Sequence, residues 1–149
     1  MLLTPHILTG VAIITKVQNP ILGLLLVFLS HYFLDAFPQK EYSVENIRGK
    51  RWNKSLPDFL KVFLDIILGF FVVFLFVSYN HLILIAAFLA ILPDGFTLLY
   101  DNFPKNELLA KHQKLHASIN AICENKKNPA FWGIASQVAV MALAIFFLL

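Results

Sequence analysis

Two short stretches each place, one helical turn apart, a pair of side chains able to share a metal ion. "SHYFLDAFP" carries His31 and Asp35, and "KHQKLHAS" carries His112 and His116. Residues four apart on an α-helix project from the same face. Imidazole nitrogens and carboxylate oxygens are both ligands for a divalent ion of the zinc type. His6 in "TPHILTG", Asp65 in "FLKVFLDIILGFF" and Asp94 in "LPDGF" add donors of the same kind. A carboxylate in a low-dielectric region takes up a proton unless a cation keeps it ionised. Asp65, two turns inside an apolar run, is the most costly of the set. A divalent ion would supply the missing cation, acidify water and polarise a phosphoryl or carbonyl oxygen. Asp65 or Asp35 would then be the general base.

Taken singly, these residues also have ordinary readings. His6 reads as an interfacial histidine, Asp58 as an acid favoured by a helix N-terminus, and Asp101 as a turn cap beside Asn102. His112 reads as a solvated residue on a helix lying on the membrane surface. Co-location separates a site from a scatter of such residues, and the elements that carry them decide it.

The chain has 149 residues, 58% of them hydrophobic and only 14% charged, with a mean hydropathy of +0.71. Soluble domains carry about 25% charged residues, so the composition predicts an all-α, polytopic membrane protein forming one domain over 1–149. Five apolar helical segments are expected: 3–17, 20–37, 55–78, 81–100 with an interruption at "PDG", and 129–149. A polar amphipathic helix at 105–125 is expected to lie outside the bilayer core. In "SLPD", Ser55 reads as an N-cap and Pro57 as a first-turn residue. Trp132 reads as an interfacial anchor. The N-terminus has no basic stretch of the signal-peptide kind, and the single Cys123 excludes an internal disulfide.

The charges set an orientation. Lys40, Arg48, Lys50, Arg51 and Lys54 lie in one loop, and Lys105, Lys111, Lys114, Lys126 and Lys127 in another. With these spans both loops fall on one side of the membrane, where the positive-inside rule puts the cytoplasm and the N-terminus. The net charge of +3 therefore reads as attraction to a lipid surface, with no nucleic-acid partner expected. His6, His31, Asp35, Asp58, Asp65, Asp94, Asp101, His112 and His116 all fall toward that side, and only His81 toward the other. One metal site built from His6, His31, Asp35, Asp65, Asp94, His112 and His116 is the expectation.

"TPHILTGVAI", "SHYFLDAFP", "LPDGF" and the late histidine pair together resemble the YdjM-like membrane-bound metal-dependent hydrolases. That group is distantly similar to zinc-dependent phospholipase C and the related single-strand nucleases. The resemblance implies hydrolysis of phosphate esters at one or more zinc ions, with His6, His31, Asp35, Asp94 and His116 as ligands. Membrane lipids or lipid-linked head groups are then the natural substrates, because the site would open at head-group depth. A non-catalytic metal-binding module and a small ion or proton carrier are the other two classes open to this sequence.

Overall fold

The computed structural model describes residues 1–124 and 130–149, and these residues contain helices and no strand. Seven α-helices follow in order: α1 (Leu3–Lys16), α2 (Pro20–Asp35), α3 (Glu45–Arg48), α4 (Leu56–Phe76), α5 (His81–Asn102), α6 (Glu107–Glu124) and α7 (Ala130–Leu148), with a 3-10 turn at Trp52–Lys54. The start of the expected last span at residue 129 lies outside the described residues, as do Lys126 and Lys127.

Asparagine starts three of these helices. The Asn19 side chain accepts from the N–H groups of Ile21 and Leu22 (3.0 and 3.1 Å), ahead of Pro20 in the first turn. Asn80 accepts from Leu82 N–H (2.9 Å), and Asn106 from Leu108 and Leu109 (3.0 and 3.1 Å). Each cap satisfies donors with no partner inside the helix. Ser55 behaves differently from the N-cap expected of it. It stands at the cap position of α4, but its hydroxyl donates to Trp52 O (2.7 Å). Asp58 binds the preceding loop, accepting from Asn46 N–H (2.9 Å) and Ile47 N–H (3.4 Å).

The shortest of the long apolar helices is the central one. Ten of the 14 residues of α1 are buried, and α2, α4, α5 and α7 all pack against it. At about 1.5 Å per residue α1 is roughly 21 Å long, short of the ~30 Å hydrocarbon layer. Being enclosed, it has no need to reach across. Among the described residues, three helices are long and apolar enough to cross a membrane: α4, α5 and Phe131–Leu148 of α7; α2 is apolar but shorter. Their outer faces expose Ile21, Phe33, Phe63, Phe71, Phe88 and Phe146. A soluble monomer does not show so extensive an apolar surface; a lipid-embedded one must. The chain is a helical, membrane-associated protein.

The interruption expected at "PDG" is absent: α5 runs through Pro93 to Asn102. Proline withholds one N–H from the helix ladder, and a helix packed among neighbours can recover the freed carbonyls. Here a neighbour donates at that turn, His31 Nδ1–H to Ala90 O at 2.7 Å. Small residues let the helices close up around it. A Cβ on Gly10 of α1 would lie 2.7 Å from the Ala90 Cβ, the near approach that small residues permit between membrane helices.

Candidate metal centre

His31 and Asp35 come from the last turns of α2, Asp94 from α5 beyond Pro93, and His116 from the middle of α6, which packs across α2 and α5. One ligand atom from each lies within 4.8 Å of all the others. His31 Nε2 is 3.2 Å from Asp35 Oδ2, 3.2 Å from His116 Nε2 and 3.7 Å from Asp94 Oδ1. His116 Nε2 is 2.8 Å from Asp35 Oδ2 and 3.7 Å from Asp94 Oδ1. A tetrahedral ion with bonds of 2.0–2.1 Å separates its ligands by roughly 3.3–3.4 Å. These five separations bracket that value.

The outward ring nitrogens fix how the inward ones face. Ala90 O can only accept, so His31 carries a proton on Nδ1, and a neutral ring then turns a bare Nε2 to the centre. His116 Nδ1 lies 3.2 Å from Thr97 Oγ1, whose own hydroxyl reaches Pro93 O (3.4 Å). Outer partners of this kind orient metal-ligating histidines. The centre thus gathers carboxylate oxygens and an imidazole lone pair at close range. It needs either a cation or a proton that turns His31 into an imidazolium. His6 adds a second sign of a missing partner. It is fully buried, stacks on His31 (centroids 4.1 Å) and has Nε2 3.3 Å from Asp35 Oδ1. Yet neither of its ring nitrogens has a hydrogen-bond partner among the described residues. The donor set fits a divalent ion and could hold one.

Around this group the electrostatics favour charge pairing. The α-amino group of Met1 lies 3.1 Å from Asp35 Oδ1 and 2.6 Å from Glu41 Oε1. Burial alone would lower its pKa, but Asp35, Glu41 and Asp94 more than offset that and raise it. Asp94 is the opening of the group, its side chain 30% exposed against at most 5% for His31, Asp35 and His116.

Asp65 stands apart from the group of four. Its Oδ2 accepts from Leu3 N–H (2.7 Å) and Tyr42 O–H (3.2 Å). Its Oδ1 accepts from Thr4 N–H (3.1 Å) and Thr4 O–H (2.6 Å). The carboxylate thus caps α1 from a helix some sixty residues away, satisfying N–H groups that have no partner inside the helix. Burial and then the Asp65 charge push the Tyr42 phenol pKa up, so the phenol stays a donor. His112 is also outside the group. Its Nε2 meets Tyr32 O–H at 3.0 Å while its ring stacks on His116 (5.7 Å). Burial, then His116 and His31, lower its pKa. Asp58 holds its loop; Asp101 lies within α5 with no cap formed; His81 pairs with Tyr79 (3.2 Å).

No family model, curated protein or solved structure matches the chain. What the site does must therefore be argued from its own atoms. Four partners escaped sequence reasoning: the Ala90 carbonyl, Thr97, the Met1 amine and Gln137, whose Oε1 accepts from Leu2 N–H (3.1 Å). Three of the four contacts involve main-chain groups, which side-chain patterns do not mark. Thr97 had a weak signal, lying one turn beyond Asp94.

Proposed function

We propose that the protein is a membrane-embedded, metal-dependent hydrolase of phosphate esters carried by lipids or lipid-linked head groups at the cytoplasmic leaflet. The observation that carries this reading is a buried four-donor group, His31, Asp35, Asp94 and His116, with a single partly exposed member, Asp94. Those four residues would hold a zinc-type ion, with His6 against Asp35. Such an ion supplies Lewis acidity toward a phosphoryl oxygen and toward water. The chain supplies the rest. Ala90 O and Thr97 Oγ1 hold the two imidazoles with Nε2 inward. Asp35 keeps the buried end of the group anionic. Asp94, at the opening, is the carboxylate placed to meet the attacking water and take its proton. The resemblance of "TPH", "SHYFLD" and "LPDGF" to YdjM-like hydrolases supports hydrolysis as the reaction, and the lysines and arginines of residues 40–54 support the cytoplasmic side.

Near-complete burial of three of the four donors favours a second reading, a structural metal that ties α2, α5 and α6 together. A carrier is disfavoured, since the acids of the membrane helices and four of the five histidines gather at one end, leaving His81 and Lys16 toward the other with no acid in the helices between. Purified protein assayed for bound transition metal and for phosphate release from lipid phosphomonoesters tests the proposal. Asp94→Asn separates the readings: a folded variant that has lost turnover supports catalysis. A protein that purifies with no transition metal and takes none up refutes both metal readings.

A further inference from the structure

Asp94 is the partly exposed member of the group. It lines a cavity of about 90 Å³ bounded also by Leu3 of α1, Val62 of α4, Leu98 of α5, and Glu41 and Arg48 from the 38–55 segment. By the ~30 Å³ that a water molecule occupies in the liquid, this is room for about three waters, the scale of a phosphoryl group. Its walls are two-sided. Leu3, Val62 and Leu98 are apolar, whereas Arg48 is a cation that forms no salt bridge among the described residues. Glu41, the other charge of the loop wall, is already matched by the Met1 amine at 2.6 Å. That leaves the Arg48 guanidinium at the rim without an acidic partner among the described residues, available to pair with an anion.

The cavity also lies at a gap in the helix ring. α4 and α5 both pack on α1 and barely touch one another; they meet at Phe70 and Phe88, farther from the site (centroids 5.4 Å). Beside Val62 and Leu98 the outward residues are Phe63 and Leu99, exposed to lipid. A head group entering between α4 and α5 would leave its tail in the leaflet.

The geometry points to this cavity as the head-group subsite for a membrane-borne phosphate monoester, with Arg48 binding the phosphoryl oxygens and the Leu3–Val62–Leu98 wall receiving the start of the tail. The assignment rests on the metal reading, because an ion shared by Asp94 offsets that residue's charge toward an anion. Arginine suits the task because its planar fork meets two phosphoryl oxygens at once.

The test uses the full chain in phosphatidylcholine nanodiscs doped with phosphatidic acid, with retained lipid read by native mass spectrometry and metal content measured in parallel. The wild type is expected to retain phosphatidic acid over phosphatidylcholine. Arg48→Gln should weaken that preference about ten- to hundredfold, and Arg48→Lys should restore part of it. Val62→Phe, which fills the cavity, should abolish retention. All three should keep their metal, since none of these side chains reaches the group of four. Equal retention of both lipids by the wild type, or an Arg48→Gln variant indistinguishable from it, overturns the subsite. Displacement by inorganic phosphate at matched concentration overturns the lipid as its source. Arg48-dependent binding by metal-loaded protein that hydrolyses nothing would instead sink the hydrolase reading and leave the subsite standing.

Discussion

Asp65→Asn is the sharpest single test of how the site is positioned. In the wild type the carboxylate accepts two backbone N–H groups, at Leu3 and Thr4, and two hydroxyls, at Thr4 and Tyr42. Asparagine keeps one oxygen and puts an NH₂ where the other stood. The hydroxyls can turn and accept from it, but a backbone N–H cannot, so one of the two is stranded whichever way the amide points. A buried donor without a partner costs about 1–3 kcal/mol. Loss of a negative charge at the α1 N-terminus costs about 0.3–1 kcal/mol more. The sum, about 3 kcal/mol, lowers Tm by roughly 6–12 °C for a chain of this size. Thr4→Val removes only the hydroxyl and should cost about 1 kcal/mol. Thermal melts in detergent, run on metal-loaded and chelated protein beside metal analysis, provide the assay. Asp65→Asn should melt early in both states and keep its metal wherever it is folded. If it melts with the wild type but loses its metal, Asp65 is a ligand and the cap argument is refuted.

His31→Ala and His116→Ala should lose bound metal while retaining helical circular dichroism, whereas His112→Gln should keep it; metal analysis of all three checks this. Chelation of the wild type should lower Tm, by an amount equivalent to about 2.7 kcal/mol when free metal was at a hundred times its dissociation constant; no shift means no metal is held by the folded state alone. Gly10→Ala should cost about 1–3 kcal/mol, since its Cβ meets the rigid Ala90 Cβ at 2.7 Å. Gly69→Ala should cost less, because its nearest contact is the movable Cδ1 of Ile7 at 2.8 Å. The folded chain holds the His112 pKa below its ordinary 6.5, so the unfolded chain binds that proton more readily. Its contribution is complete above pH 6.5 and is lost as pH falls below it. Melts of chelated His112→Gln against wild type should show a shallower acid limb for the variant.

Which parts of this arrangement a sequence can disclose follows from what each contact is made of. His31 and Asp35 advertise themselves, because helical spacing alone puts both on one face. Membrane side then draws His6, Asp94 and His116 toward the same end, and the structure brings them into contact with that pair. Spacing could not choose between His112 and His116, which share a face. The choice comes from how α6 lies across α2, where Tyr32 meets His112 and leaves His116 over Asp35. Pro93 predicts a break from a local rule, yet α5 continues through it, packed against α1, α2 and α6. Asp65 is the instructive case. An acid two turns inside an apolar helix must have a partner, and its burial cost says so plainly. The cost does not say whether that partner is a cation or a row of N–H groups, because a helix N-terminus is written in no residue type. Among the intramembrane acids, an acid surrounded by other ligands is then the better metal candidate than an acid that is merely expensive. On that criterion Asp94 outranks Asp65: its oxygen faces His31 and His116 and its side chain opens to a cavity, whereas every acceptor of Asp65 is already engaged.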